Sequence, residues 1–282
     1  MLRNVLFNRI ITILWVFSLL LMSNIAPASS MIEDCYQKLN LNPPENQNNR
    51  TLLVLIDQTT ALTSAMKSSV GSLVSDWGEN GDTIKIIRFS ANVRGQYTEM
   101  MFDNGVDAAP DEEYLYNLHK VDKVNLLECL KQQKQTFRSK FQMVLTATLN
   151  MSNPTLPKSD ILYSLKEISQ KIIHSTGTAK MTVLLVSDGL ENSDVISFHG
   201  KNTIKKIDPQ KSLALINKKN LLTTWQNADI YIYGLGYIKS EKTYIRPALI
   251  EPLKEFWRLY FAAGKGEVKQ LGTPELLLTS IK

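Results

Sequence analysis

The chain has 282 residues, with 32 Lys or Arg against 27 Asp or Glu, a net charge of +5, 44% hydrophobic residues and two cysteines. So mild a basic excess does not imply a nucleic-acid partner, and none is expected. The length suits one large α/β domain with a substantial core rather than two domains.

Residues 1–28 have the three zones of a secretory signal: basic Arg3 and Arg9, the uncharged apolar run Ile10–Met22, and the small residues Ala26-Pro27-Ala28 for cleavage. That run is shorter than the ~20 residues a bilayer span requires, so membrane association is expected only if the signal stays uncleaved. The expected organisation is a signal peptide at 1–28, an N-terminal segment and leader at 29–50, and a domain at 51–282. Export to the periplasm or the medium follows. It would carry Cys35 and Cys129 into an oxidising compartment where a pair tends to join, the alternative being two buried thiols. A bridge would pin the N-terminal segment to the helix bearing Cys129.

"LLVLI" (52–56) reads as a strand buried on both faces, Ala61–Trp77 as a helix, "TIKIIRFS" (83–90) as a second strand. "QYTEMMF" (96–102) reads as a third strand, paired antiparallel with the second. Residues 103–158 form a long excursion with a helix over Asn125–Leu149. "SDILYSLKEISQKII" (159–173) is a helix with one apolar stripe, and Ser159 has the place of its N-cap. "TVLLVSDG" (182–189) is a buried strand ending in an acidic turn. A helix near 210–227, the strand "DIYIYGLG" (229–236) and a helix over 248–264 follow. In the last helix, Phe256, Trp257, Leu259, Tyr260 and Phe261 form an aromatic stripe expected in the core.

This alternation predicts an α/β fold: a doubly wound, mostly parallel sheet with one antiparallel edge strand and helices on both faces. The ligand site of such folds lies beyond the C-terminal strand ends, where Asp57 and Asp188 both fall.

Three stretches in this order, "DQTTA" closing a strand, "KSDILYSL" opening a helix and "SDGLEN" closing a later strand, resemble the von Willebrand factor A domain. The likeness covers Thr51 to Lys282. It implies a metal-ion-dependent adhesion site in which Asp57, Thr59, Ser159 and Asp188 hold magnesium, and a protein partner that presents an acidic side chain to the metal. Ala61 stands where that family places a second serine. Two readings remain open at this point. In one, a water replaces the missing hydroxyl. In the other, the site is a relic in which Asp57 accepts backbone N–H bonds and Thr59 or Thr60 caps the following helix. Thr60 is expected to point away from the site, and Glu191 and Asn192 to be solvated turn residues.

The function that follows is an exported, non-enzymatic protein-binding module for adhesion or assembly, acting through the loops at the C-terminal strand ends. The alternatives are a metal-assisted hydrolase using Asp57, or a structural subunit of an envelope, secretion or conjugation assembly. Haloacid-dehalogenase-type phosphotransferases use Asp-x-Asp, and Thr59 leaves the second carboxylate missing. His119, His174 and His199 are scattered, and the sequence contains no nucleophile elbow, zinc-protease helix or phosphate loop. The basic stretches at 131–140 and 201–211 read as solvated faces.

Overall fold

The computed structural model describes residues 32–45, 49–90, 98–153, 159–173, 180–200, 203–238 and 246–281. The signal expected over residues 1–28 and His174 lie outside them. Among the described residues, no helix is long and apolar enough to cross a membrane.

In chain order the elements are α1 (Cys35–Lys38), β1 (Arg50–Asp57), α2 (Ser64–Leu73), β2 (Asp82–Phe89), β3 (Thr98–Gly105), α3 (Glu112–Asn117) and α4 (Lys120–Asn150). Then come α5 (Ile161–Lys171), β4 (Lys180–Val186), the short hairpin β5 (His199–Gly200) and β6 (Thr203–Ile204), α6 (Pro209–Lys218), β7 (Asp229–Tyr233), α7 (Pro247–Ala263) and β8 (Glu267–Leu271). One six-stranded sheet has the order β3-β2-β1-β4-β7-β8. Every pairing in it is parallel except β2 with β3.

The period-2 alternation of β1 divides the core. Leu52, Val54 and Ile56 face Met66, Val70 and Leu73 of α2 and Phe137, Phe141 and Leu145 of α4. Leu53 and Leu55 face the other layer, made by Ile161, Leu162 and Leu165 of α5 and by Leu253, Phe256 and Trp257 of α7. A strand buried on both faces must be apolar throughout, which is why β1 carries no polar residue between Thr51 and Asp57. The aromatic stripe is core as expected: Phe256, Trp257, Tyr260 and Phe261 are fully or nearly fully buried.

Several element limits differ from expectation. The α2 helix starts at Ser64 rather than Ala61, because the Thr63 hydroxyl accepts the Met66 N–H and sets the N-cap there. It ends at Leu73, short of Trp77. The α4 helix is longer than expected at both ends, and the excursion before it holds the rest of β3 and the short α3, capped by Asp111. The α6 helix stops at Lys218, nine residues before the expected end, and Asn220 turns the chain with a φ of 55°. The edge strand β8 and the β5–β6 hairpin had no sequence signal. β8 mixes charged, polar and apolar residues with little burial, and Lys269 pairs with Asp229 and Glu267, which suits an exposed edge.

The N-terminal segment is fixed to the domain. A disulfide joins Cys35 in α1 to Cys129 in α4. Around it Tyr36 and Leu126 are buried, and the Tyr36 hydroxyl donates to the Ala108 carbonyl at 2.8 Å. On the neighbouring face, Lys134 and Arg138 from the basic stretch of α4 pair with Glu79, so part of that stretch is engaged internally.

Candidate metal centre

Three turns at the C-terminal end of the sheet meet: the one after β1, the one before α5 and the one after β4. Asp57, the last residue of β1, is 2% exposed. Its Oδ1 accepts the Thr59 N–H at 2.8 Å and the Thr59 hydroxyl at 2.6 Å. Its Oδ2 accepts the Ser187 hydroxyl at 2.7 Å and the Ser159 hydroxyl at 3.3 Å. The Thr59 hydroxyl also lies 3.0 Å from that of Ser159. Asp57, Thr59 and Ser159 therefore meet at the C-terminal end of the sheet, and the Asp188 amide is tied to the same turn through Thr60.

Two residues that the sequence reading gave no part in the site help to hold it. Thr60 does not point away; its hydroxyl accepts the Asp188 N–H at 3.1 Å and ties the first turn to the third. The Ser187 hydroxyl bridges the turns, donating to Asp57 and accepting the Gly189 N–H at 3.0 Å. Its signal was its place at the end of a buried strand, directly before the acidic turn.

Ser159 is not an N-cap. The N-cap of α5 is Asp160, which makes no side-chain capping bond, and the Ser159 carbonyl accepts the Asn192 N–H at 2.8 Å. Glu191 is not solvated but wholly buried, and its Oε2 accepts the Leu162 N–H at 2.9 Å. Nothing in the local sequence marks that contact, because its two partners are 29 residues apart.

Asp188 is half-buried. Its Oδ1 accepts the Leu190 N–H at 2.9 Å, and its carbonyl accepts the Gly236 N–H at 2.7 Å. Gly189 has a φ of 66°, and a Cβ there would lie 2.4 Å from Leu235 and 2.7 Å from the Trp257 indole nitrogen. Only glycine fits this turn.

Burial pushes the Asp57 carboxyl above its ordinary range, although the hydroxyls of Thr59 and Ser187 oppose the shift. Burial and the neighbouring Asp57 charge push Asp188 up to about 8. Two carboxyl groups that resist joint ionisation have the electrostatics a bound cation would reverse. The donor set of two carboxylates and two hydroxyls fits a hard cation such as magnesium, which prefers oxygen and retains water. Among the described residues, no group of three or more His, Cys, Asp or Glu side chains is placed to hold a metal ion.

The strand order and the antiparallel β3 make a doubly wound α/β fold of the von Willebrand factor A or Rossmann-like kind. No protein-family profile matches the sequence, and no curated protein matches it. Among solved structures, proximal thread matrix protein 1 from the mussel byssus, with a zinc-occupied MIDAS motif, is 10% identical with a TM-score of 0.35, over 74% of this chain and 39% of that one. The pilus adhesin SpaC from Lactobacillus rhamnosus GG, in an open conformation, is 12% identical with a TM-score of 0.39, over 82% of this chain and 29% of that one. An aerotolerance-related membrane protein from Bacteroides fragilis NCTC 9343, with multiple mutations to serines, is 10% identical with a TM-score of 0.32, over 79% of this chain and 92% of that one. The chain spans less than half the length of the first two.

Proposed function

We propose that the chain is a protein-binding module of an exported assembly, and that it engages its partner through the turns after β1, before α5 and after β4. The observation that carries this reading is the convergence of Asp57 and Asp188 with the Thr59, Ser159 and Ser187 hydroxyls at the C-terminal end of the sheet. Asp57, Thr59, Ser159 and Asp188 would hold a divalent cation such as magnesium. A cation there would supply a positive charge to attract a partner's carboxylate. The chain's own part is to fix the oxygen donors, to shield Asp57 from water, and to present Asp188 at the rim.

An exported location belongs to the same reading. It is supported by the signal-like residues 1–28 and by the Cys35–Cys129 bridge, which an oxidising compartment favours. The domain partition at residues 28 and 50 is proposed on the same grounds.

Calorimetric titration of magnesium and manganese into the native chain and into Asp57→Ala tests the site. Binding by the native chain alone is the expected result; no binding by either removes the cation from the proposal. A phosphoester screen accompanies it, and turnover abolished by Asp57→Ala would replace the binding module with a hydrolase. A partner recovered equally with chelator present and with Asp57→Ala would leave the loops as the contact and exclude a metal bridge.

A further inference from the structure

The α5 helix lacks a local cap, yet it starts at the wall of the oxygen cluster. Asp160 makes no side-chain capping bond, and the carboxyl of Glu191 occupies that role from another turn, accepting the Leu162 N–H at 2.9 Å. A carboxyl oxygen there satisfies one of the helix's orphan donors. The next residue holds the other side of the same junction, where the Asn192 N–H donates to the Ser159 carbonyl at 2.8 Å. Glu191 is itself fixed, because its carbonyl accepts the Phe198 N–H at 2.8 Å and the Phe198 ring packs on Phe256 with centroids 4.7 Å apart. Burying a carboxyl is costly unless it is hydrogen-bonded, and here the Leu162 N–H serves Oε2 while Oε1 is buried without a partner among the described residues.

We propose that Glu191 is a positioning residue for the oxygen cluster: its carboxyl holds the first turn of α5, and with it Ser159, against the turn that carries Asp188. Without it, the Ser159 hydroxyl loses the support that keeps it 3.0 Å from the Thr59 hydroxyl and 3.3 Å from Asp57. The consequence for metal affinity rests on the cation reading above; the consequence for the α5 junction does not.

The test follows manganese binding by electron paramagnetic resonance and amide exchange over residues 159–164, in the full chain. Glu191→Ala is expected to weaken manganese binding roughly 10–100-fold, as removal of supporting partners around metal ligands does. Glu191→Gln keeps an oxygen for the Leu162 N–H and should retain near-native affinity. Val70→Ala, in the fully buried core of α2, should lower the melting temperature without changing affinity, which separates positioning from stability. Should Glu191→Ala fail to fold, Glu191→Asp takes its place, since it keeps the carboxyl but shortens its reach. Native affinity in Glu191→Ala, or an equal loss in Glu191→Gln or Val70→Ala, overturns the proposal. If the native chain binds no manganese, the cation reading fails and exchange alone decides. Faster exchange at Leu162 in Glu191→Ala with native rates in Glu191→Gln then supports the proposal, and equal rates in all variants overturn it.

Discussion

The indole N–H of Trp257 donates to the carbonyl of Gly189 at 3.0 Å, so the aromatic core face of α7 and the turn carrying Asp188 form one hydrogen-bonded unit. Trp257→Phe keeps most of the packing and leaves that buried carbonyl without its donor, which costs about 1–3 kcal/mol. Gly189→Ala should be at least as damaging, because its Cβ would overlap Leu235 in a left-handed turn. Urea unfolding of both variants checks this. A native midpoint for Gly189→Ala would show that the turn yields where the packing says it cannot.

The pH dependence of stability should carry the mark of Glu191. Burial first of all pushes its carboxyl from the ordinary 4.5 up to about 8. Between those values the folded chain keeps a proton that the unfolded chain releases. Its contribution is therefore fully present below 4.5 and is lost as pH rises through about 8. The slope from this group is at most about 1.4 kcal/mol per pH unit. Asp57 and Asp188 are shifted in the same direction. Unfolding in chelator at pH 5 to 8 should show falling stability, with a shallower fall in Glu191→Gln; parallel profiles would contradict it.

Much of the fold was written in local pattern. β1 announced itself through an unbroken apolar run, and Asp57 and Asp188 through their places at strand ends. What the sequence withheld depended on partners distant along the chain. Glu191 looked like a polar turn residue because the helix start it supports is 29 positions away. Thr60 looked idle because its partner is the Asp188 amide, 128 positions on. The β8 edge strand has two charged residues among its five and pairs on one side only, so it lacks the apolar pattern that reveals an inner strand.

Ala61 is the position where the first turn departs from the family pattern it resembles. If the cluster holds a cation with a water in place of the missing hydroxyl, Ala61→Ser should tighten manganese binding several-fold. The titration used for Asp57→Ala measures this directly. Unchanged affinity would mean that residue 61 does not face the ion.

At the opposite end of β1, Arg50 grips Asp82 with two hydrogen bonds of 2.8 and 2.7 Å, and its guanidinium lies 4.6 Å from the centre of the Trp77 ring. Asp82, 1% exposed, also accepts the N–H groups of Gly78 and Glu79. Asp82→Ala should cost about 1–3 kcal/mol, because it strands the Gly78 and Glu79 donors while the partly exposed guanidinium of Arg50 still reaches water. A urea midpoint close to native would show that water replaces the carboxylate without penalty.

Reduction of the Cys35–Cys129 bridge should lower stability by roughly 4–5 kcal/mol in the loop-entropy account. Unfolding with and without reductant, beside the Cys35→Ser/Cys129→Ser double variant, tests the figure. The bridge spans 94 positions and encloses β1, β2 and β3, half of the main sheet, in one covalent ring. A single backbone cut anywhere between the two cysteines would therefore release nothing. The protein would migrate as one species on a non-reducing gel and separate into two fragments only when reductant is added.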